Sequence, residues 1–177
     1  MPNIDLVERI DRSPEATFDG QAFRHQPPHY DPLSGTGARR VGGRWNPAQS
    51  FSTLYLGTER RTATAEFERL LRQQGVSLAD VLPRCLFRYE VKLRNVLDLR
   101  DSATLALVGL TEDDIAAEPR SKCQQVGEAA HHCGREGIIA PSATGFGSVL
   151  AVYIDRLMPG SELHPYQEEL WLPDGGQ

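Results

Sequence analysis

The chain has 177 residues, of which 40% are hydrophobic, and a formal net charge of -5 at pH 7. This length is enough for one substantial hydrophobic core and too short for two ordinary domains. The negative charge argues against direct binding of nucleic acid, because that binding depends mostly on lysine and arginine contacts to phosphates. The apolar runs are too short to cross a membrane, and the first residues lack the pattern of a signal peptide.

The cysteines and histidines do not predict a disulfide framework or a metal site. Cys85, Cys123 and Cys133 are odd in number and have no short paired spacing, so a cytoplasmic protein is expected. His131 and His132 precede Cys133, but adjacent residues of a helix point about 100° apart. We therefore expect no bound metal.

The first part of the chain gives weak signals. Residues 1–20 are polar and predict an irregular leader, or a short strand around residues 4–10, ahead of one domain over residues 21–177. Phe23-Arg24-His25 begins a segment that ends at two prolines. Residues 32–37 are rich in proline, serine and glycine and predict a long turn.

The sequence Gly42-Gly43-Arg44-Trp45-Asn46-Pro47 is the most distinctive stretch. Two glycines allow positive φ or a close backbone approach, so they would present Arg44 from a tight turn, where it could hold an anion. A purely structural role stays open, in which Arg44 stacks on Trp45 or pairs with a buried carboxylate.

A short strand over residues 53–57 and a helix follow this turn. Thr58 is expected to cap the helix, which runs to about Gln73. The helical spacing of its apolar residues predicts a buried stripe made of Ala63, Phe67, Leu70 and Leu71.

Glu66 lies at the edge of that stripe and permits two interpretations. It is either a boundary glutamate that covers apolar surface or pairs with Arg69 or Arg72, or a partly desolvated carboxylate in a cleft beside Arg44.

The second half of the chain alternates strands and short helices. Residues 85–93 alternate apolar and charged positions and predict a half-buried antiparallel strand, with a second short strand over residues 95–99. Asp101 and Thr111 are expected to cap two short helices, and Ser121 a longer one.

Three further strand segments complete the chain. Residues 137–141 predict a buried strand that runs into a turn at Ser142, residues 148–155 another strand, and residues 162–172 an edge strand or tail. Ser142 is either a turn serine that bonds to its own backbone or a site residue, since sites are often built where strands end. The Gly-x-Ser-x-Gly pattern of a nucleophile elbow is missing.

Several of these motifs together resemble the RES domain, a family named for an arginine, a glutamate and a serine. The resemblance runs from about residue 20 to about residue 155, and its specific signal is the Gly-Gly-Arg-Trp-Asn-Pro core followed by a correctly spaced tyrosine and glutamate. The motifs that carry it are Phe23-Arg24, the loop 31–40, Gly42 to Pro47, Leu54-Tyr55-Leu56, Ala65-Glu66 and Pro141-Ser142-Ala143.

The resemblance implies a fold and a function. The fold would be an α+β domain of small, mixed, mostly antiparallel sheets flanked by helices, similar to ADP-ribosyltransferases. The function would be that of the toxin of a type II toxin–antitoxin pair, which cleaves NAD at the nicotinamide–ribose bond by phosphorolysis or hydrolysis. NAD would be the substrate and inorganic phosphate a co-substrate, with no further cofactor. The partner would be an Xre-type helix-turn-helix antitoxin, bound in a hetero-oligomer.

The resemblance also implies roles for single residues. Arg24 and Arg44 match the family's anion-holding arginines, Tyr55 the aromatic residue of the nicotinamide pocket, Glu66 the acid and Ser142 the serine. Glu66, Arg44 and Ser142 are therefore the expected catalytic residues.

Two positions depart from the family pattern. His25, which we expect to contact the substrate, stands where close relatives often have tyrosine, and residues 144–154 lack the asparagine that many members carry there.

The residue pattern suits cleavage of NAD, because a carboxylate at Glu66 would stabilise the oxocarbenium-like ribose left when nicotinamide departs. Two other functions stay open: ADP-ribosyl transfer to a protein, and a non-catalytic module that binds a nucleotide or a partner. Replacement of Glu66 by glutamine distinguishes an enzyme from a binding module. It should leave folding intact and abolish turnover in an enzyme, and change little in a protein that only binds.

Overall fold

The strands of the chain form one curved sheet, and helices fill the connections between them. The computed structural model describes residues 1–173, so residues 174–177, the end of the expected domain, lie outside the described residues. The strands are β1 (Ala16–Gln26), β2 (Thr53–Gly57), β3 (Arg84–Asp98), β4 (Gly137–Pro141), β5 (Ser148–Tyr153) and β6 (Glu162–Trp171). The helices are α1 (Ile4–Arg12), α2 (Thr36–Val41), α3 (Arg60–Gln74), α4 (Leu78–Val81), α5 (Ser102–Leu107), α6 (Glu112–Ala116) and α7 (Ser121–His132), with a short 3-10 helix at Ile154–Arg156.

Five of the strands close into a ring. Their order is β1-β2-β5-β4-β3, and β3 pairs with β1 again, while β6 extends the sheet from β3. Only β3 and β4 pair in parallel within the described chain. The shortest pairing in the ring is between β1 and β2, which share the single register pair Phe23 and Gly57.

This closed, barrel-like sheet corrects the expectation of separate small sheets, although the mixed α/β, mostly antiparallel character was predicted. The reason is β3. Residues 85–93 and 95–99 were expected to be two strands, but 84–98 form one strand of 15 residues. It is long enough to pair with β1 on one side and with β6 and then β4 on the other.

The two faces of the ring carry separate cores. The inner face is filled by buried residues that come from strands alone, as the pleat of a closed sheet requires, among them Leu54, Phe87 and Leu150. The outer face packs against α1, α5, α6 and α7 through residues such as Trp45 and Tyr153. These four helices therefore cover one part of the outer face, and α3 packs against β1 and β3 through a separate cluster of Phe23, Ala63 and Leu86.

Residues 4–12 form a helix and not the irregular leader or short strand expected there. The side chain of Asn3 accepts hydrogen bonds from the backbone N–H groups of Asp5 and Leu6 and so caps α1. Leu6 and Ile10 lie four residues apart on one face and are buried in the core shared with α7. No helix within residues 1–173 combines the length and the apolar composition needed to cross a bilayer.

Helix α3 carries Glu66 and differs in detail from its prediction. It begins after Glu59, which makes no side-chain capping bond. The expectation that Thr58 caps this helix was wrong, because the Thr58 hydroxyl bonds to the backbone of Ser148. It ends at Gly75, whose φ of 64° is left-handed. Its buried residues are Thr62, Ala63, Phe67 and Leu71, whereas Leu70 is 45% exposed and lines a cavity described below.

Several other elements confirm their predictions. The strand over 53–57 is present, Asp101 and Thr111 cap α5 and α6, and residues 162–171 form an edge strand. The prediction that Ser121 caps the longer helix was wrong, because Ser121 is the first residue of α7 and Arg120 occupies the capping position without a side-chain bond.

Candidate functional site

The turn after α2 is built around buried Asn46. Gly42 ends α2 with a φ of 78°, a value that favours glycine. The Gly43 N–H then donates to the Asn46 carbonyl at 3.0 Å and closes a tight turn. The Asn46 side chain donates to the carbonyl of Ala38 at 2.8 Å and accepts from the Tyr55 hydroxyl at 2.6 Å. These bonds tie the turn to α2 and β2.

Close backbone approaches fix the same turn. A Cβ atom on Gly43 would lie 2.4 Å from the Tyr55 hydroxyl oxygen, and one on Gly127 of α7 would lie 2.0 Å from the Trp45 carbonyl oxygen. The Tyr153 hydroxyl donates to that same carbonyl at 3.1 Å. Glycine is thus required at two positions for the turn to sit against β2 and α7.

Arg44, presented by this turn, does not contact Glu66. Its guanidinium donates to the Ala117 carbonyl at 2.9 Å and lies 3.4 Å from a carboxylate oxygen of Glu118. The structure therefore joins Arg44 to the segment before α7, although Arg44 and Glu66 line the same cavity. The expectation that Arg44 stands directly beside the Glu66 carboxylate was wrong. The alternative expectation was a structural Arg44 that pairs with a buried carboxylate. Arg44 does lie beside a carboxylate, that of Glu118, but this side chain is half exposed.

Glu66 is instead bonded to the predicted serine. The Ser142 hydroxyl donates to Oε1 of Glu66 at 2.6 Å, and Ser142 is only 7% exposed. The Ser142 oxygen also lies 2.6 Å from the Thr144 hydroxyl. Within residues 1–173, neither Arg69 nor Arg72 forms an ion pair with Glu66, so the interpretation of Glu66 as a cleft carboxylate fits the geometry.

A cavity of about 410 Å³ collects these residues. Its size lies within the range of small-molecule sites. Five of the residues predicted for the site line it: Arg24, His25, Arg44, Tyr55 and Glu66. Ser142 reaches it through its bond to Glu66, between the lining residues Pro141 and Ala143.

Tyr55 supports the cavity wall with its hydroxyl. That hydroxyl accepts from the Trp45 N–H at 2.9 Å and donates to Asn46. Burial raises the pKa of Tyr55, so the phenol stays protonated and able to donate. Its role as the aromatic residue of a nicotinamide pocket stays a prediction.

Arg24 is a cation without a hydrogen-bonded side-chain partner in the part of the chain that the structure describes. Its Nη1 atom is buried and makes no hydrogen bond with residues 1–173. Burial lowers the pKa of Arg24, and the neighbouring Tyr89 opposes this shift in part. A buried donor left unpaired costs free energy, and an anionic ligand would remove that cost.

His25 is a neutral ring packed among aromatic residues. It stacks on Phe67 at 5.4 Å between ring centroids and lies 4.4 Å from the Trp171 ring, while its Nε2 atom lies 3.1 Å from the Thr64 hydroxyl. Burial and, second, the nearby Arg84 lower its pKa to about 4. His25 is therefore uncharged at neutral pH.

Arg84 lines the cavity but was not found from the sequence. Its Nη2 atom donates to the carbonyl of His25 at 3.1 Å, and its guanidinium carbon lies 4.4 Å from the centre of the Phe67 ring. Burial and, second, Arg24 lower the pKa of Arg84 to about 10. The only sequence signal was an arginine at the start of a strand, which is too common to predict a site.

The histidine pair of α7 lies elsewhere. His131 bonds to the Asp155 carboxylate at 2.9 Å and stacks on Phe51 at 3.8 Å between centroids. Among residues 1–173, no group of three histidine, cysteine or acidic residues is placed to hold a metal ion.

The class of protein follows from three features described above. They are the closed sheet, the Gly-Gly-Arg-Trp-Asn turn, and the hydrogen-bonded glutamate and serine. The RES domain family model matches residues 21–171, and the chain belongs to this family. The NAD(+) phosphorylase MbcT of Mycobacterium tuberculosis is 35% identical over 157 residues, which are 88% of this chain and 84% of MbcT. The probable NAD(+) phosphorylase Rv3189 of the same organism is 27% identical over 171 residues, 96% of this chain and 80% of that protein.

A solved structure shows the same fold. One chain in the crystal structure of the M. tuberculosis MbcT-MbcA toxin-antitoxin complex superposes with a TM-score of 0.82 at 32% identity, over 97% of this chain and 94% of that chain.

Proposed function

We propose that this protein is an NAD phosphorylase that acts as the toxin of a toxin–antitoxin pair. It would cleave NAD at the nicotinamide–ribose bond, use inorganic phosphate as the acceptor, and deplete NAD in the cytoplasm. The observation that carries the proposal is one cavity that holds the Glu66–Ser142 pair and Arg24, whose buried Nη1 atom has no partner within residues 1–173. The similarity to MbcT over most of both chains supports it.

Glu66 is the group that would stabilise the transition state. As nicotinamide departs, positive charge develops on the ribose ring, as it does in glycoside cleavage. A carboxylate held by the Ser142 hydroxyl is preorganised for that charge and for a hydrogen bond from a ribose hydroxyl. The proposal includes a similarity of fold to the ADP-ribosyltransferases, because those enzymes break the same bond.

The basic residues would bind the phosphate groups of the substrates. Arg44 and Arg24 both line the cavity, and a planar guanidinium makes two-point contacts with phosphate oxygens. Arg44 reaches the cavity from the turn, while Arg24 reaches it from β1. The enzyme needs no further cofactor in this proposal, since NAD and phosphate supply all reacting atoms.

The antitoxin partner is proposed on the same grounds. The similar solved structure is a toxin–antitoxin complex, so we expect a helix-turn-helix antitoxin to bind this chain in a hetero-oligomer. Co-expression with the product of the neighbouring reading frame, followed by size-exclusion chromatography, tests this. Separate elution of the two folded proteins at micromolar concentration would contradict it.

The activity is tested by incubating the purified protein with NAD, with and without inorganic phosphate, and identifying products by mass spectrometry. We expect nicotinamide and the 1-phosphate of ADP-ribose, the latter only when phosphate is present. Free ADP-ribose in both samples would show hydrolysis, and a labelled protein band in a lysate would show ADP-ribosyl transfer. Intact NAD in every sample, with the protein folded by circular dichroism, refutes enzymatic cleavage.

The matched control is Glu66→Gln, which keeps the size and the acceptor oxygen of the side chain. It should fold like the wild type and lose turnover by a factor of about 100 or more. Unchanged turnover would remove Glu66 from the mechanism.

A further inference from the structure

We propose that Arg84 completes, with Arg24, a subsite that binds a phosphate group at one end of the cavity. The shared chemistry is a tetrahedral oxyanion held by two guanidinium groups. The proposed function offers two sources for it, the inorganic phosphate acceptor and the pyrophosphate of NAD, and the identity of the occupant rests on that function. The existence of the subsite does not depend on the proposed function.

Arg24 and Arg84 line the same cavity, and the charge of Arg24 helps to lower the pKa of Arg84. Arg24 lies on β1 and Arg84 at the start of β3, strands that pair in an antiparallel ladder. The Arg84 guanidinium donates a 3.1 Å hydrogen bond across that ladder to the carbonyl of His25, the residue that follows Arg24 in the chain. The Phe67 ring, 4.4 Å from the guanidinium carbon, supports one face of the group. Both arginines line the cavity.

Both guanidiniums have unused donors. The Nη1 atom of Arg24 and the Nε atom of Arg84 are buried and have no hydrogen-bond partner among residues 1–173. Neither side chain has a carboxylate within 4 Å in that part of the chain. Two like charges with unsatisfied donors in one wall are unfavourable, and buried unpaired groups of this kind call for a ligand. A phosphate supplies several acceptor oxygens and the opposite charge.

The other basic residues of the cavity are already bonded. Arg44 donates to the Ala117 carbonyl and approaches Glu118, and Arg120 donates to Glu118 at 2.9 Å. Arg69 lies 3.4 Å from the Ala116 carbonyl. Arg44 and Arg120 therefore share the Glu118 carboxylate, whereas Arg24 and Arg84 have no carboxylate within 4 Å among residues 1–173, which favours them as the site of an added anion.

The reaction step balances with hydrogen phosphate in this subsite. An oxygen of the phosphate forms a bond to the anomeric carbon of the ribose as the carbon–nitrogen bond to nicotinamide breaks. The bonding electron pair leaves with nicotinamide, which becomes neutral. The phosphate keeps its proton in the ester product and loses it later to solvent.

Direct binding of inorganic phosphate tests the subsite without turnover. Isothermal titration calorimetry in phosphate-free buffer would compare Glu66→Gln with Glu66→Gln/Arg84→Gln. We expect the second protein to bind phosphate at least about tenfold more weakly, the scale of one charged hydrogen bond. Arg84→Lys should be intermediate, because lysine keeps the charge but not the planar fork.

The matched control is Arg12→Gln in the same background, since Arg12 is 76% exposed on α1 and does not line the cavity. It should bind phosphate like the parent. Circular dichroism and thermal unfolding must show that each variant is folded, and Arg84→Lys serves if Arg84→Gln is not. Equal phosphate affinity with and without Arg84 in folded proteins overturns the proposal.

Steady-state kinetics of Arg84→Gln in the otherwise native protein identify the occupant. A rise in KM for phosphate alone assigns the subsite to the acceptor, and a rise in KM for NAD alone assigns it to the pyrophosphate. Either result supports a phosphate subsite at Arg84, whereas no change in either KM counts against it. If the wild type does not cleave NAD, the proposed function fails and the calorimetry still decides on the subsite.

Discussion

The Ser142 hydroxyl donates a 2.6 Å hydrogen bond to the carboxylate of Glu66, across 76 residues of sequence. It joins the turn after β4 to the middle of α3. The backbone N–H of Thr144 in turn donates to the Ser142 oxygen at 3.2 Å. The orientation of the carboxylate in the cavity therefore depends on a turn that belongs to a different part of the sheet.

Ser142→Ala should lower the rate of NAD cleavage by about tenfold, less than the loss of the carboxylate itself. The charge of Glu66 stays, but one hydrogen bond that orients it is removed, and tenfold corresponds to about 1.4 kcal/mol. Initial rates of nicotinamide release measure this, with Ser148→Ala as a serine control outside the cavity. A kcat equal to that of the wild type would show that the bond does not orient the acid.

Arg24→Met should raise the stability of the protein and lower its activity. The change removes a buried donor that has no partner among the described residues 1–173, and burial of such a donor costs on the order of 1–3 kcal/mol. Urea unfolding in phosphate-free buffer gives the free energy of unfolding. Arg88→Met is the control, since Arg88 on β3 pairs with Glu90 and Glu168 and its loss should not stabilise. A less stable Arg24→Met protein would mean that Arg24 supports the fold.

Gly43→Ala should disturb the turn that presents Arg44. The added Cβ would lie 2.4 Å from the Tyr55 hydroxyl oxygen, and such overpacking costs about 1–3 kcal/mol. Gly37→Ala is the matched control, because its Cβ would meet nothing within 4 Å and alanine favours the helix. The midpoint temperature of thermal unfolding and the rate of NAD cleavage should both fall for Gly43→Ala and not for Gly37→Ala. Equal effects of the two changes would contradict the role of Tyr55 in fixing the turn.

His25 should make the protein less stable in acid. Its pKa is about 4 in the folded protein and about 6.5 in the unfolded chain, so below pH 6.5 the unfolded chain binds the extra proton. Stability falls as the pH drops through this window and the loss is complete near pH 4. Between pH 7 and pH 5 the loss from this group is about 2 kcal/mol.

Urea unfolding of the wild type and His25→Phe at these two pH values isolates that contribution, because other groups titrate alike in both proteins. The variant should show the smaller drop. A drop of equal size in the two proteins would mean that His25 titrates normally in the fold.

The local motifs of the site could be predicted from the sequence. Gly43 and Tyr55 are separated by one turn and a short strand, so their spacing alone places them together, and Glu66 follows on the next helix. The capping residues Asp101 and Thr111 are equally local. The start of α1 at Asn3, with Leu6 and Ile10 four residues apart, carried a readable helical signal that was overlooked.

The distant relationships could not be predicted. Arg84 and His25 are 59 residues apart and meet only because β3 pairs with β1. The ring closes because β3 continues through residues 93–95, where the alternation of apolar side chains weakens and suggested a break. Arg44 was assigned to Glu66 because they lie close in sequence, whereas Ala117 and Glu118, more than 70 residues away, hold it.

The single register pair between β1 and β2 has a mechanical consequence for the cavity. Arg24 and His25 stand on one side of that seam and Tyr55 on the other. Parting the two strands there would open the ring at the cost of few backbone hydrogen bonds, while the other ladders keep the five strands in one sheet. This seam therefore holds the wall of the cavity with fewer paired residues than any other neighbouring strands of the ring.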